Sequence, residues 1–223
     1  MVEVIDCVRK LGPGVQFRCK EFRAEQAEMV ALCGPSGCGK STLLNLISGL
    51  LRPDSGIIRV DGIETQNMSE EEMDRFRGER IGFVFQTFNL LQPFTALQNV
   101  MLGMRFSDTR HSSEWKPRAM ELLERVGLGH RFKSKPATMS VGEQQRVAIA
   151  RALANKQKLI LADEPTGSLD PKTAAEVMDL LLRLCEEEKV TLLLVTHDPT
   201  IAARFPRTFD CTDLVKDINE QVA

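Results

Sequence analysis

Nine consecutive residues, Gly34-Pro35-Ser36-Gly37-Cys38-Gly39-Lys40-Ser41-Thr42, follow the pattern G-x-x-x-x-G-K-[ST] without a gap. Triphosphate oxygens need many N–H donors at close range. Glycines let the backbone curl until successive N–H groups point inward at them. Lys40 supplies a positive charge for the β- and γ-phosphates, and the Ser41 hydroxyl is the expected ligand of a Mg²⁺ ion. The helix starting near Lys40 turns the positive end of its dipole toward the same place. Cys38 lies inside the loop, so its oxidation is expected to impair phosphate binding. A second reactive pair is Asp163-Glu164. An acid at the carboxyl end of a buried strand can hold Mg²⁺ through water, and the next acid is placed to polarise an attacking water. Asp and Glu after a strand often do no more than open a loop; the company of a phosphate loop favours the chemical reading.

Such groups need a strand, a loop and a helix to position them, and the flanking residues supply these. Glu28-Met29-Val30-Ala31-Leu32-Cys33 reads as a short buried strand entering the loop, and Ser41 to Ser48 reads as a helix with Gly49 near its end. Upstream, Val2 to Asp6 and Val15 to Phe22 alternate in part, with a turn at Gly12-Pro13-Gly14. Downstream, a turn at residues 52–56 leads to a strand Ile57 to Val60, and Asp61-Gly62 signals a tight hairpin. Ser69-Glu70-Glu71-Glu72 fits a capping box for a helix to about Arg77, and Ile81 to Phe85 reads as a buried strand delivering Gln86. Residues 87 to 156 change to helical spacing. There Ser140 caps a helix from Val141 to about Leu153, with Glu143 completing a capping box. Leu159 to Ala162 is a continuous apolar strand of the kind covered on both faces, Asp170-Pro171 opens a helix to about Glu187, and Val190 to Val195 is another such strand. The expected fold is α/β: a P-loop NTPase (RecA-like) core of residues 1–86 and 157–223, with an antiparallel β part at its N-terminus and an inserted α-helical lobe at 87–156.

Composition bounds the partners. The chain has 223 residues, 43% of them hydrophobic and 27% charged, with a formal net charge of -2. That is enough chain for a sizeable core, and it carries no global charge for nucleic acid or an anionic membrane. Six cysteines without a C-x-x-C pair disfavour a disulfide framework or a zinc site and favour a reducing cytosol. No apolar run approaches the ~20 residues that span a bilayer, and the N-terminus alternates like a strand rather than a signal peptide.

Further stretches carry a family resemblance. Met139-Ser140-Val141-Gly142-Glu143-Gln144-Gln145-Arg146 resembles the signature LSGGQ(Q)QR of ATP-binding cassette (ABC) ATPases of membrane transporters. Leu159–Glu164 resembles the Walker B strand, Gln86 the Q-loop, Gly167-Ser168-Leu169-Asp170 the D-loop and His197 the switch histidine, all in family order. The resemblance implies a homodimer of cassettes formed head to tail on ATP binding. One subunit's phosphate loop and the other's Ser140, Val141, Gly142 and Glu143 then sandwich each ATP. It implies Glu164 as the group acting on water, His197 at the γ-phosphate, and Ser41, Gln86 and Asp163 around Mg²⁺, with Ser168 and Asp170 in the D-loop. It also implies a separate transmembrane permease subunit, no nucleic acid, and a cytoplasmic location, peripheral on the inner membrane's cytoplasmic face. Residues 82–91, 95–100 and 162–170 are similar to the lipoprotein-releasing, macrolide-export and cell-division branch, which points to export or to lipoprotein, peptide or drug extrusion. The connector at 87–94, apolar over Asn89-Leu90-Leu91-Gln92-Pro93-Phe94, is the expected docking surface, with an interlobe core segment as its alternative.

The chain departs from the family pattern in three places. Leu11 stands where an aromatic residue usually stacks on adenine, so adenine is expected to rest on apolar contact. Val141 replaces the first signature glycine; if the backbone there needs a positive φ, valine strains it. Both departures predict slower hydrolysis or weaker dimerisation and motivate an alternative, a regulatory or scaffold cassette with low hydrolysis. Glu25-Gln26-Ala27-Glu28 lacks the glycine that commonly precedes that glutamate. A soluble cassette of DNA repair or translation is disfavoured, because coiled coils, zinc-binding insertions and a second cassette are absent.

Overall fold

The computed structural model describes residues 1–107 and 110–217. Asp108 and Thr109 of the expected helical lobe and residues 218–223 of the expected core lie outside them. The chain divides into two compact units, residues 1–73 with 191–223, and residues 74–190.

The first unit carries the antiparallel part. β1 (Val2–Gly12) and β2 (Val15–Ala24) form a hairpin in which Val4 faces Phe22, Cys7 faces Cys19 and Arg9 faces Phe17. Both strands outrun their expected ends. The alternation in β1 is interrupted at Asp6, whose φ is 46, and its pairing with β4 (Ser55–Val60) shifts register between Ile5 and Val8. A bulge of this kind breaks the period-2 pattern while leaving the strand intact. β4 turns into β5 (Ile63–Glu64) through Asp61 and Gly62, with φ 54 and 76, the paired left-handed conformation that an Asp-Gly hairpin requires. β10 (Val215–Asp217) adds to β2, with Val215 opposite Phe17.

The same unit holds three parallel strands. β3 (Met29–Cys33) lies between β8 (Thr191–Val195) and β9 (Arg207–Asp210), with Ala31 opposite Leu194 on one side and Thr208 on the other. Every residue of β8 is buried, the expected result of an unbroken apolar run. Helix α1 (Lys40–Ile47) buries Leu43, Leu44, Leu46 and Ile47.

In the second unit, β6 (Ile81–Val84) runs parallel to β7 (Leu159–Asp163), with Phe83 opposite Leu161. The helix before β6, α2 (Glu70–Arg80), runs past Gly78, the residue that would stop it, because Gly78 does not take the left-handed C-cap backbone; its missing side chain instead admits the Phe106 carbonyl into the space a Cβ would fill. The remaining helices are α3 (Ala96–Leu102), α4 (Ser112–Arg125), α5 (Val141–Ala152) and α6 (Pro171–Glu187). α5 packs against α3, α4, α6 and β6 and is the central helix of this unit. The expected lobe limits at 86/87 and 156/157 both fall inside it. Among the described residues no helix is long and apolar enough to cross a membrane.

Candidate nucleotide site

β3 delivers the phosphate loop, and the loop's glycines do what the pattern demands of them. Gly37 and Gly39 have φ 81 and 106. At Gly39 space forbids a side chain as firmly as the backbone does: a Cβ would stand 3.0 Å from Val215, 3.1 Å from Phe17 and 3.3 Å from Leu214. The loop is thereby pressed onto the β2–β10 pair. Gly39 is also the N-cap of α1 and offers no side-chain cap, and the first turn carries no acidic residue. The leading N–H groups of α1 are therefore not engaged by a capping side chain, the arrangement that favours an anion.

Lys40 is 6% exposed, and its Nζ donates to the carbonyl oxygens of Gly34 at 2.8 Å and Pro35 at 2.7 Å. The ammonium is held within the curve of its own loop. Cys38 is buried beside it, Sγ to Nζ 3.9 Å. Pro35, Ser36 and Ser41 are exposed and Thr42 is half-buried. Leu11 is 42% exposed at the irregular end of the β1–β2 pairing, two residues beyond the Arg9 that faces Phe17. It therefore sits on the hairpin that underlies the loop, while Phe17 and Phe22 are core residues. His197 follows β8 on the surface, and Asp198 caps the short helix α7 (Pro199–Ala202).

The second unit assembles the other groups. Asp163 ends β7, and Glu164 follows in a left-handed conformation, φ 44, which costs roughly 1–3 kcal/mol for a residue with a side chain. A turn holds it there: Gly167 N–H donates to the Glu164 carbonyl at 3.0 Å, and Leu169 N–H to Thr166 at 3.0 Å. Gln86 reaches the same turn, because a Cβ on Gly167 would lie 2.9 Å from its Nε2. The Gln86 side chain, the Glu164 carbonyl and Gly167 are thus brought together. Ser168 is exposed. Asp170 caps α6, accepting from Thr173 N–H at 3.1 Å, and hydrogen bonding to Thr173 holds its carboxyl below the usual range.

Ser140 caps α5 in a complete capping box. Glu143 N–H donates to Ser140 Oγ at 3.2 Å, and Ser140 N–H donates to Glu143 Oε2 at 2.8 Å. That backbone bond, helped by Arg131 Nε at 3.0 Å, lowers the Glu143 pKa. Val141 is the first residue of α5, 46% exposed, and is not among the residues of positive φ. The strain expected of a valine there does not arise, since an N1 position has ordinary helical backbone. The glycine that matters is Gly142: a Cβ on it would come within 2.6 Å of Thr173 on α6.

One residue escaped the sequence reading. Gln145 is fully buried on α5 and donates from Nε2 to the Pro165 carbonyl at 2.5 Å, one residue from Glu164. Its signal was a polar residue on the stripe that also carries Gly142 and Ile149, visible only once the buried face of α5 is known.

Comparison with known proteins gives the family. Residues 18–167 match the family model described as ABC transporter. The lipoprotein-releasing system ATP-binding protein LolD of Treponema pallidum is 51% identical over 182 residues, 82% of this chain and 80% of that protein. The LolD of Geobacter metallireducens is 43% identical over 217 residues, 96% of each chain. A solved dimer of the ATP-binding cassette MJ0796 bound to ADP and Pi superposes with a TM-score of 0.83 at 39% identity, covering 98% of this chain and 99% of that one. The fold is that of a P-loop NTPase cassette, and the low-turnover scaffold gives way to the ATPase. The chain belongs to the ABC transporter family, of which it is an ATP-binding, ATP-hydrolysing subunit.

Proposed function

We propose that this cassette works as a homodimer beneath a separate transmembrane permease and drives extraction of a lipid-anchored protein from the outer face of the inner membrane. The observation that carries this reading is the identity of 43–51% to proteins named for lipoprotein release, over 82–96% of the chain. The dimer is supported by the solved MJ0796 dimers. The proposed layout is one cassette over residues 1–223, with the core at 1–86 and 157–223 and the helical lobe at 87–156. Its proposed place is the cytoplasmic face, where residues 87–94 dock the permease; Leu91 and Phe94 there are 48% and 36% exposed.

The proposed chemistry is hydrolysis of ATP to ADP and phosphate. The N–H groups of Gly34–Thr42 and the Lys40 ammonium hold the triphosphate, and Leu11 lies against adenine. Glu164 accepts a proton from the attacking water, with Gln86 and His197 orienting the water and the γ-phosphate. Ser140, Val141, Gly142 and Glu143 of the second copy close the far side, and Ser168 and Asp170 pack at that junction. Ser41, Gln86 and Asp163 offer only oxygen donors, which suits Mg²⁺. When bound, Mg²⁺ neutralises charge on the β- and γ-phosphates.

The test is reconstitution of the cassette with the membrane permease that co-purifies with it, in vesicles carrying an acylated lipoprotein. ATP-dependent transfer of the lipoprotein to a soluble acceptor is expected. ATP turnover without transfer, together with export of a drug or peptide, would replace this substrate by another of the same branch.

A further inference from the structure

Phe88 and Asn89, just behind Gln86, are consecutive residues with left-handed backbone, φ 59 and 47. A bulky side chain in that region is strained, and two in succession need something to hold them. Part of the support is local: Phe88 N–H donates to the Phe85 carbonyl at 3.3 Å, and Asn89 N–H to the Thr87 carbonyl at 2.6 Å. The rest comes from Arg151, 62 residues along the chain. Its Nη1 donates to the Asn89 carbonyl at 2.5 Å and its Nη2 to the Phe88 carbonyl at 2.7 Å. Burial disfavours the charged form of this guanidinium, and the two carbonyl dipoles are what it receives in exchange for water. A planar fork gives each of two adjacent carbonyls its own nitrogen at a fixed separation, where an ammonium would have to serve both from one.

Arg151 is the penultimate residue of α5, the helix that Ser140 caps. Between the two ends, Gln145 holds the Pro165 carbonyl. A helix of this length is a stiff rod of roughly 18 Å, here joined at one end to the signature serine, midway to the turn bearing Glu164, and at the other end to the strained turn behind Gln86. The strained turn opens directly into the apolar connector 89–94.

We propose that Arg151 is a positioning residue that ties the Phe88–Asn89 turn to the signature helix, so that nucleotide engaged at Ser140 is registered in the connector at 87–94. This rests on the ATP-driven dimer proposed above. The turn is the two-state element: with its carbonyls held it keeps the left-handed pair, and released it relaxes to ordinary backbone.

Hydrogen–deuterium exchange on the full chain, with and without Mg²⁺ and a non-hydrolysable ATP analogue, tests the proposal. In the native chain the analogue should slow exchange in peptides covering 34–42, 140–146 and 85–94, the last by roughly tenfold. In Arg151→Met the first two should respond as before, and the response at 85–94 should fall below about twofold. Arg151→Lys keeps the charge without the fork and should behave like Arg151→Met; it decides the matter if the methionine variant does not fold. An unchanged response at 85–94 in the variants overturns the proposal. So does a parallel loss at 140–146, which would make Arg151 a general stabiliser. Absence of protection at 34–42 in the native chain would instead overturn the ATP reading on which the proposal stands.

Discussion

Two helix N-termini in this chain are proposed to meet phosphate, and they are built in opposite ways. α1 begins at a left-handed glycine with no side-chain cap and no acid in its first turn. α5 begins at Ser140 with a reciprocal capping box, and Arg131 braces its glutamate. The first leaves its N–H donors for a ligand; the second has already satisfied part of its own and is stable by itself. A loop that must surround a phosphate needs its donors uncommitted, whereas a surface that must wait for a second copy needs to hold its shape while waiting.

The largest effect expected from breaking this contrast is at the open end. Lys40→Ala should weaken ATP binding by about a hundredfold or more, read by calorimetric titration. On the hydrolytic side, Glu164→Gln should still bind ATP, lose turnover by roughly a thousandfold, and accumulate a closed dimer visible by size-exclusion chromatography. Near-normal turnover in that variant would remove the role given to Glu164. Ser140→Ala should cost about 1 kcal/mol, a fall in Tm of roughly 2–4 °C, with ATP affinity of the isolated subunit unchanged. An equal Tm would mean the box contributes nothing.

The same box has a pH signature. The folded Glu143 pKa is lowered, so its contribution is fully present above the ordinary glutamate value of about 4.3 and is lost as pH falls through the folded value. Glu143→Gln keeps the cap without the titration, so its Tm should fall less steeply than the native Tm below about pH 4.5. Parallel acid profiles would contradict this. The smallest expected effect is at Val141. With no backbone strain to relieve, Val141→Gly should raise ATPase turnover by only about twofold, through relief of bulk toward the partner's ATP. No increase would show that valine is fully compatible with closure.

The contrast also explains what the sequence could disclose. The loop, the hairpin turn at Asp61-Gly62 and both capping residues were legible because each is a local pattern whose side chains or glycines dictate their own backbone. β1 reads short because the bulge at Asp6 breaks its alternation, and α2 because Gly78 looks like a stop but serves close packing against Phe106. Gln145's grip on Pro165 was invisible, since it joins segments that meet only after folding, and Glu164's left-handed backbone was invisible because no glycine or asparagine stands there to signal it. The strain expected at Val141 had the same origin: a one-residue pattern mismatch says nothing about φ. The crowded glycine is its neighbour, and only the position of α6 reveals it.

That crowding has a consequence in terms of symmetry. Gly142 on α5 rests against Thr173 on α6, whose backbone in turn caps against Asp170. Signature and D-loop therefore form a single corner. In a two-fold homodimer that corner occurs twice, so one codon changed alters both nucleotide sites at once. A Gly142 substitution costing about 1.4 kcal/mol per copy would weaken the assembled pair by about a hundredfold rather than tenfold.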